Sequence, residues 1–174
     1  MNKAIALDRR RLITGGIATL MTGSAIVALT GRAFADEKAF ANSPFRKISD
    51  VEWRKRLPQA AYNVLRTEAT EIPGTSPLLK EKRKGVFVCA GCGLPLFNSS
   101  TKYESGTGWP SFYRAIDANI GKKTDRLLGY ARTEYHCAQC LGHQGHVFDD
   151  GPPPTGLRYC NNGVALAFVA QGAA

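Results

Sequence analysis

The reactive side chains of this 174-residue chain are concentrated in five cysteines and a pair of closely spaced histidines. Four cysteines fall in two short segments, Phe87-Val88-Cys89-Ala90-Gly91-Cys92-Gly93 and Tyr135-His136-Cys137-Ala138-Gln139-Cys140-Leu141-Gly142. They read as one unit used twice: a strand, a Cys-x-x-Cys pair, then glycine. Such a turn lets two thiolates converge on one tetrahedral ion, and the glycine supplies the positive φ that turns of this kind often need. Two such turns complete a four-thiolate set with no position left for water, so the expected ion is one structural zinc per chain, held by Cys89, Cys92, Cys137 and Cys140. Two disulfides are the alternative. Each would close within its own turn and would staple little of the fold.

An odd count leaves Cys160 over. It lies in Gly156-Leu157-Arg158-Tyr159-Cys160-Asn161-Asn162-Gly163, between the Gly151-Pro152-Pro153-Pro154 turn and the apolar run Val164 to Val169. A buried, inert cysteine is the bland reading. Against it, Arg158 favours the thiolate and thereby lowers the thiol pKa, and the polar pair Asn161-Asn162 does not resemble a core strand. These features make Cys160 the expected nucleophile. In Leu141-Gly142-His143-Gln144-Gly145-His146-Val147-Phe148 the two histidines follow a ligand set that is already full, which leaves His143 and His146 proton transfer as their role. His136, next to a zinc cysteine within a strand, reads as structural. Trp109, in Gly106-Thr107-Gly108-Trp109-Pro110-Ser111-Phe112, sits in an irregular turn where it either packs into the core or offers its face to a small apolar group.

The elements that must position these residues are short. Ser49-Asp50-Val51-Glu52 has capping-box spacing and opens a helix carrying Trp53 and Leu57, with Trp53 most simply a core residue. Pro58 ends that helix and begins a second, Gln59 to Thr67, with Tyr62, Leu65 and Ala61 turned inward. Lys80 to Gly85 reads as a solvated turn. Strands are expected at Val86–Val88, Leu94–Phe97, Gly129–His136, His146–Phe148 and Val164–Val169. The pattern is an antiparallel β-domain with two N-terminal helices against it.

The length suits one compact domain. Lys and Arg number 23 against 14 Asp and Glu, a formal +9. Within residues 1–35, five basic side chains less Asp8 account for +4 of that, so the remainder is only mildly basic. Residues 1–35 read as a cleavable export signal: Arg9-Arg10-Arg11, a mildly apolar run from Leu12 to Thr30, then Ala33-Phe34-Ala35 as the cleavage triplet. Asp8-Arg9-Arg10-Arg11-Leu12-Ile13 resembles a twin-arginine signal, which carries proteins already folded. The expected location is the periplasm, with no permanent membrane span, a linker at 36–44, a catalytic domain at 45–170 and a tail at 171–174. An interleaved aromatic and basic stripe of the kind that binds single-stranded nucleic acid is missing from the sequence, so no nucleic-acid partner is expected. A zinc-stabilised recognition module is a rival reading, but it would need no Cys160. A thiol oxidoreductase working through a Cys-x-x-Cys pair is a second, and it fails if both pairs hold zinc.

Taken together, the segments resemble the MsrB family, the zinc-containing peptide methionine-R-sulfoxide reductases. The likeness runs from about Phe45 to Val169. It rests on the paired Cys-x-x-Cys turns, Ser105 to Phe112, Gly145-His146-Val147-Phe148, Asp150-Gly151-Pro152 and Pro154 to Asn162. The resemblance implies a mainly β, barrel-like fold of two antiparallel sheets with peripheral helices. It implies that Cys160 attacks the sulfoxide sulfur and becomes a sulfenic acid while His146, with His143 beside it, protonates the oxygen. Trp109 and Phe148 would pack on the substrate methyl, Asn162 and Arg158 would order the thiol and the sulfoxide, and Asp149 and Asp150 would orient the histidines. Many family members carry a second redox cysteine where this chain has Thr107. The substrates implied are oxidised peptides and proteins, and the sulfenic acid would be recycled by a thioredoxin-like or other thiol reductant acting on a monomer.

Overall fold

The computed structural model describes residues 37–172. The expected export signal at 1–35 and the last two residues lie outside them. Among the described residues no helix is long and apolar enough to cross a membrane.

Among the described residues, two short α-helices precede the strands. Ser49 caps α1 (Asp50–Arg56) by accepting from the Glu52 N–H at 3.3 Å, which satisfies one of the helix's orphan donors. α2 (Gln59–Thr67) buries Ala61, Tyr62, Val64 and Leu65, and it ends at Glu68 in the left-handed conformation. Both expected helices and their inward faces are present, and Trp53 is a core residue, 2% exposed.

Nine strands follow: β1 (Gly85–Cys89), β2 (Pro95–Asn98), β3 (Lys102–Tyr103), β4 (Ser111–Phe112), β5 (Ile120–Asp125), β6 (Arg132–Cys137), β7 (His143–Phe148), β8 (Arg158–Asn161) and β9 (Leu166–Ala170). They form a three-stranded sheet in the order β2-β1-β9 and a six-stranded sheet in the order β3-β4-β8-β7-β6-β5, with antiparallel pairing throughout. The fold is therefore mainly β, two antiparallel sheets with two short helices, as expected. Three strand starts shift by more than one residue. The strand expected from His146 begins at His143. The strand expected from Gly129 begins at Arg132, because Gly129 turns the β5–β6 hairpin with φ +82. The run from Val164 begins as a 3-10 turn, Gly163–Ala165, before β9.

Aromatic rings fill the space between the sheets. Phe87 and Phe97 of the small sheet meet Phe112 of the large one at centroid distances of 5.0 and 4.1 Å, and Phe97 also touches Tyr135 and Tyr159. Each such pair adds on the order of 1 kcal/mol beyond its buried area. Side chains alternate across a strand, so this inner face fixes which residues face outward. Phe112 pairs with Tyr159, and Tyr159 with Val147. Their neighbours Ser111, Cys160 and His146 consequently lie on the opposite face.

Candidate functional site

Register builds the site. Ser111 pairs with Cys160, Cys160 with His146, His146 with Glu134 and Glu134 with Lys123, which makes one cross-strand row over β4, β8, β7, β6 and β5. Along the strands, Phe148 pairs with Arg158 and Asp125 with Arg132 on the same face. Beside this row lies a pocket of about 130 Å³ walled by Trp109, Arg132, His146, Phe148, Cys160 and Asn162 among others.

Cys160 is half-buried in the pocket wall. Arg158 favours the thiolate, as expected, but does not decide the balance. Burial pushes the Cys160 thiol above its ordinary value, while the Arg158 guanidinium and a hydrogen bond from the Thr107 side chain pull the other way. Arg158 is itself held by Asp150 through two contacts of 2.8 Å and lies 4.3 Å from the Phe148 ring centroid. Asn161 is a correction, since it belongs to β8 and is wholly buried. Its Oδ1 accepts from the Tyr135 hydroxyl at 2.6 Å and its amide donates to the Asn162 carbonyl at 2.7 Å, so a polar side chain sits satisfied in the core.

The histidines have carboxylate partners other than the ones expected. His146 Nε2 lies 2.8 Å from Asp125 Oδ2, and His143 Nδ1 lies 2.8 Å from Glu134 Oε1. Asp150 holds Arg158 instead. Asp125 also accepts from the Leu127 N–H and from Arg132, and these bonds, the Leu127 one foremost, hold its carboxyl down at about 2. Glu134 is buried, which resists ionisation, yet hydrogen bonds from His136 and His143 and the nearby Lys123 keep it well below the usual carboxylate range. Burial pulls the His146 imidazole below its ordinary value, and Asp125 opposes that pull. His143 packs behind His146, ring centroids 5.5 Å apart, and is buried. Nothing nearby in sequence links Asp125 and Glu134 to the histidines. Only the β5–β6–β7 pairing does.

Trp109 is half-buried, and its indole N–H donates to the Glu71 carbonyl at 2.9 Å. The structure thus places Trp109 at the pocket, not in the core. Asn162 Oδ1 accepts from the Glu71 N–H at 2.9 Å, its amide donates to the Gln144 carbonyl, and Glu71 Oε2 accepts from the Gly163 N–H. Asn162 is therefore a clamp that ties the segment after α2 to the pocket wall, where Thr70 completes the lining. Glu71 is a residue the sequence did not single out.

The four cysteines of the paired turns come together. Their sulfurs lie within 4.8 Å of one another, with Cys89–Cys140 at 3.6 Å and Cys92–Cys137 at 3.5 Å. None is in a disulfide, whose sulfurs would be about 2.05 Å apart. Tetrahedral zinc with Zn–S of about 2.3 Å sets sulfurs roughly 3.8 Å apart, so the four residues fit that ion. The chemistry of the set agrees. Crowded by Cys137 and the others, the Cys89 thiol is pushed well up, and a cation at the centre of the four would favour its ionised form.

Both turns use a positive φ after the second cysteine, but only the first places a glycine there: Gly93 at +77, Leu141 at +60. Gly142 serves packing instead, because a Cβ on it would come 2.8 Å from Leu65 Cδ2 and 3.3 Å from Cys140 Sγ. Arg66 of α2 donates to the Cys140 carbonyl at 3.0 Å, so the helices cover the cysteine cluster.

A family model described as the SelR domain matches residues 57–170. The chain is 52% identical over 124 residues to the peptide methionine sulfoxide reductase MsrB of Leptospira interrogans, covering 71% of this chain and 95% of that protein. It is 49% identical over 121 residues to the MsrB of Thiobacillus denitrificans (69% and 92%) and 50% identical over 124 residues to that of Methanosarcina barkeri (71% and 87%).

Proposed function

The chain belongs to the MsrB family of peptide methionine sulfoxide reductases, and from that premise we propose that Cys160 reduces the R epimer of methionine sulfoxide in oxidised peptides and proteins. The observation that carries this reading is the row Ser111–Cys160–His146 along a pocket with an aromatic wall. The sulfoxide methyl packs between Trp109 and Phe148. The Cys160 sulfur attacks the sulfoxide sulfur, and the sulfoxide oxygen needs a proton before it can leave carbon-bound sulfur. His146 supplies it. With Nε2 held by Asp125, Nδ1 is the nitrogen left to exchange that proton.

The balance is methionine sulfoxide plus thiol giving methionine plus sulfenic acid, the cysteine sulfur losing the two electrons that the sulfoxide gains. Thr107 hydrogen-bonds Cys160 where a resolving thiol would stand, and it cannot form a disulfide. An external thiol therefore attacks the sulfenic acid, releases water and leaves a mixed disulfide, which a second thiol resolves. Zinc held by Cys89, Cys92, Cys137 and Cys140 supplies structure and no reactive position.

The signal-like residues 1–35 support a setting in the periplasm, reached by the twin-arginine route, where the enzyme acts as a monomer on oxidised exported proteins. Replacing Arg9 and Arg10 by Lys should trap the protein in the cytoplasm on fractionation. The deciding experiment for the activity is reduction of a peptide carrying R or S methionine sulfoxide with dithiothreitol. Consumption of the R form alone, abolished by Cys160→Ser, is expected. One turnover without reductant should leave Cys160 with one added oxygen. Equal activity of the variant would overturn the reading.

A further inference from the structure

Exposed apolar side chains gather at one hairpin. Among the described residues, seven large hydrophobic side chains are exposed, and three of them, Leu127 (78%), Leu128 (59%) and Tyr130 (58%), occupy the tip of the β5–β6 hairpin. The base of that hairpin is the Asp125–Arg132 pair, which holds His146 and walls the catalytic pocket. A fourth, Ile72 (71%), lies two residues from Thr70 on the segment that closes the other side of the same pocket. Clustered exposed hydrophobics mark contact surfaces, whereas single ones do not.

A second groove meets the pocket at Arg132 and Phe148, around the end of β7. Its volume is about 420 Å³, and it is lined by Tyr130, Val147 and Leu157 among others. The catalytic pocket has room for little more than one side chain. A substrate that is a polypeptide must therefore lay its neighbouring residues over the rim, and the rim toward the hairpin carries Tyr130, Val147 and Leu157 beside the polar Thr133 and Asp149.

We propose that the groove beneath the β5–β6 hairpin is a subsite for an apolar side chain flanking the methionine sulfoxide, with Tyr130 as its specificity-determining residue. The proposal rests on the peptide sulfoxide reductase reading above. Extended backbone sends successive side chains to opposite sides, so a neighbour of the sulfoxide leaves the catalytic pocket at its rim and reaches the adjoining groove. A flanking Leu or Phe gains burial there that Ser or Gly cannot. Methionines in apolar stretches, exposed when a protein unfolds, become the preferred substrates.

The test uses the full chain with dithiothreitol and three substrates: N-acetylmethionine R-sulfoxide, a pentapeptide with Leu on both sides of the sulfoxide, and the same peptide with Ser. The wild type should favour the Leu peptide over the Ser peptide by about tenfold in kcat/KM. The variant Tyr130→Ser should bring that ratio to within about twofold. Its side chain is exposed, so folding should tolerate the change. An unchanged ratio would overturn the subsite. So would an equal loss with all three substrates, which would trace to the Asp125–Arg132 pair. A wild type inactive on all three would instead refute the reading on which the proposal rests.

Discussion

Cys160 and His146 face each other across β7 and β8 with their proton affinities displaced in opposite directions: burial raises the thiol, and burial lowers the imidazole. Each displacement favours the neutral form, and each has a charged neighbour opposing it, Arg158 for the thiolate and Asp125 for the imidazolium. Removing either neighbour should therefore move one limb of the pH profile in a direction fixed by charge. Arg158→Met takes away a cation and leaves Asp150 facing the thiol, so thiolate forms only at higher pH. The pH dependence of iodoacetamide alkylation of Cys160, and the rising limb of kcat/KM, should both shift upward. Asp125→Asn takes an anion from the imidazolium, so the falling limb, where the acid is lost, should shift downward. A proton donor contributes about 100-fold or more, and partial loss of its orientation should cost at least about tenfold near neutral pH. Limbs that moved the same way would contradict these roles. Cys160, the histidines and Trp109 were legible in the sequence because type and neighbours single them out. Asp125, Glu134 and Glu71 were not, since each reaches the site only through strand pairing or a folded-back segment.

The same limit operates on the elements. The helices were legible because capping at Ser49, Pro58 and the inward residues of α2 all agree. β8 was hidden because its two faces do not alternate in polarity. Arg158 and Cys160 share the outer face, where Cys160 lines the pocket, and on the inner face buried Tyr159 is followed by an equally buried Asn161. β5 was hidden because Lys122, Lys123 and Thr124 make a polar edge, with Lys123 paired to Glu68 and Glu134; charged residues suit a sheet edge. β3 and β4, two residues each, are too short to show any period. The closeness of β7 and β8 rests on Gly145. A Cβ there would sit 1.9 Å from the Cys160 carbonyl oxygen, a backbone collision that no rotamer relieves. Gly145→Ala should therefore push the two strands apart between His146 and Cys160. Stability should fall by at least about 1–3 kcal/mol, as overpacking does. Thermal unfolding measured beside kcat would show both losses, and a variant with normal melting and normal activity would contradict the packing argument.

At the scale of the molecule the four cysteines join what the strands leave separate. Cys89 ends β1 of the small sheet and Cys92 lies in the turn after it, while Cys137 ends β6 of the large sheet and Cys140 lies in the turn after that. An ion held by all four ties the two sheets at one end of the aromatic core, with Trp53 and Leu65 of the helices packed against the same turns. Structural zinc contributes about 10–16 kcal/mol of binding free energy, comparable with the whole stability of a domain at about 5–15 kcal/mol. Loss of the ion should thus be felt by the entire fold, including β8, which bears no ligand. Purified protein should hold one zinc per chain by elemental analysis. Chelation, or Cys92→Ser at the least buried ligand, should release the ion and lower the melting temperature steeply, and activity should fall in step with the folded fraction. Activity lost while the melting temperature stays fixed would place the metal in the chemistry. Full stability without metal would leave the four thiols without a structural role. Holding the sheets together before exposure to an oxidising compartment is also what folded export would accomplish, since thiolates already bound to zinc are withheld from disulfide formation.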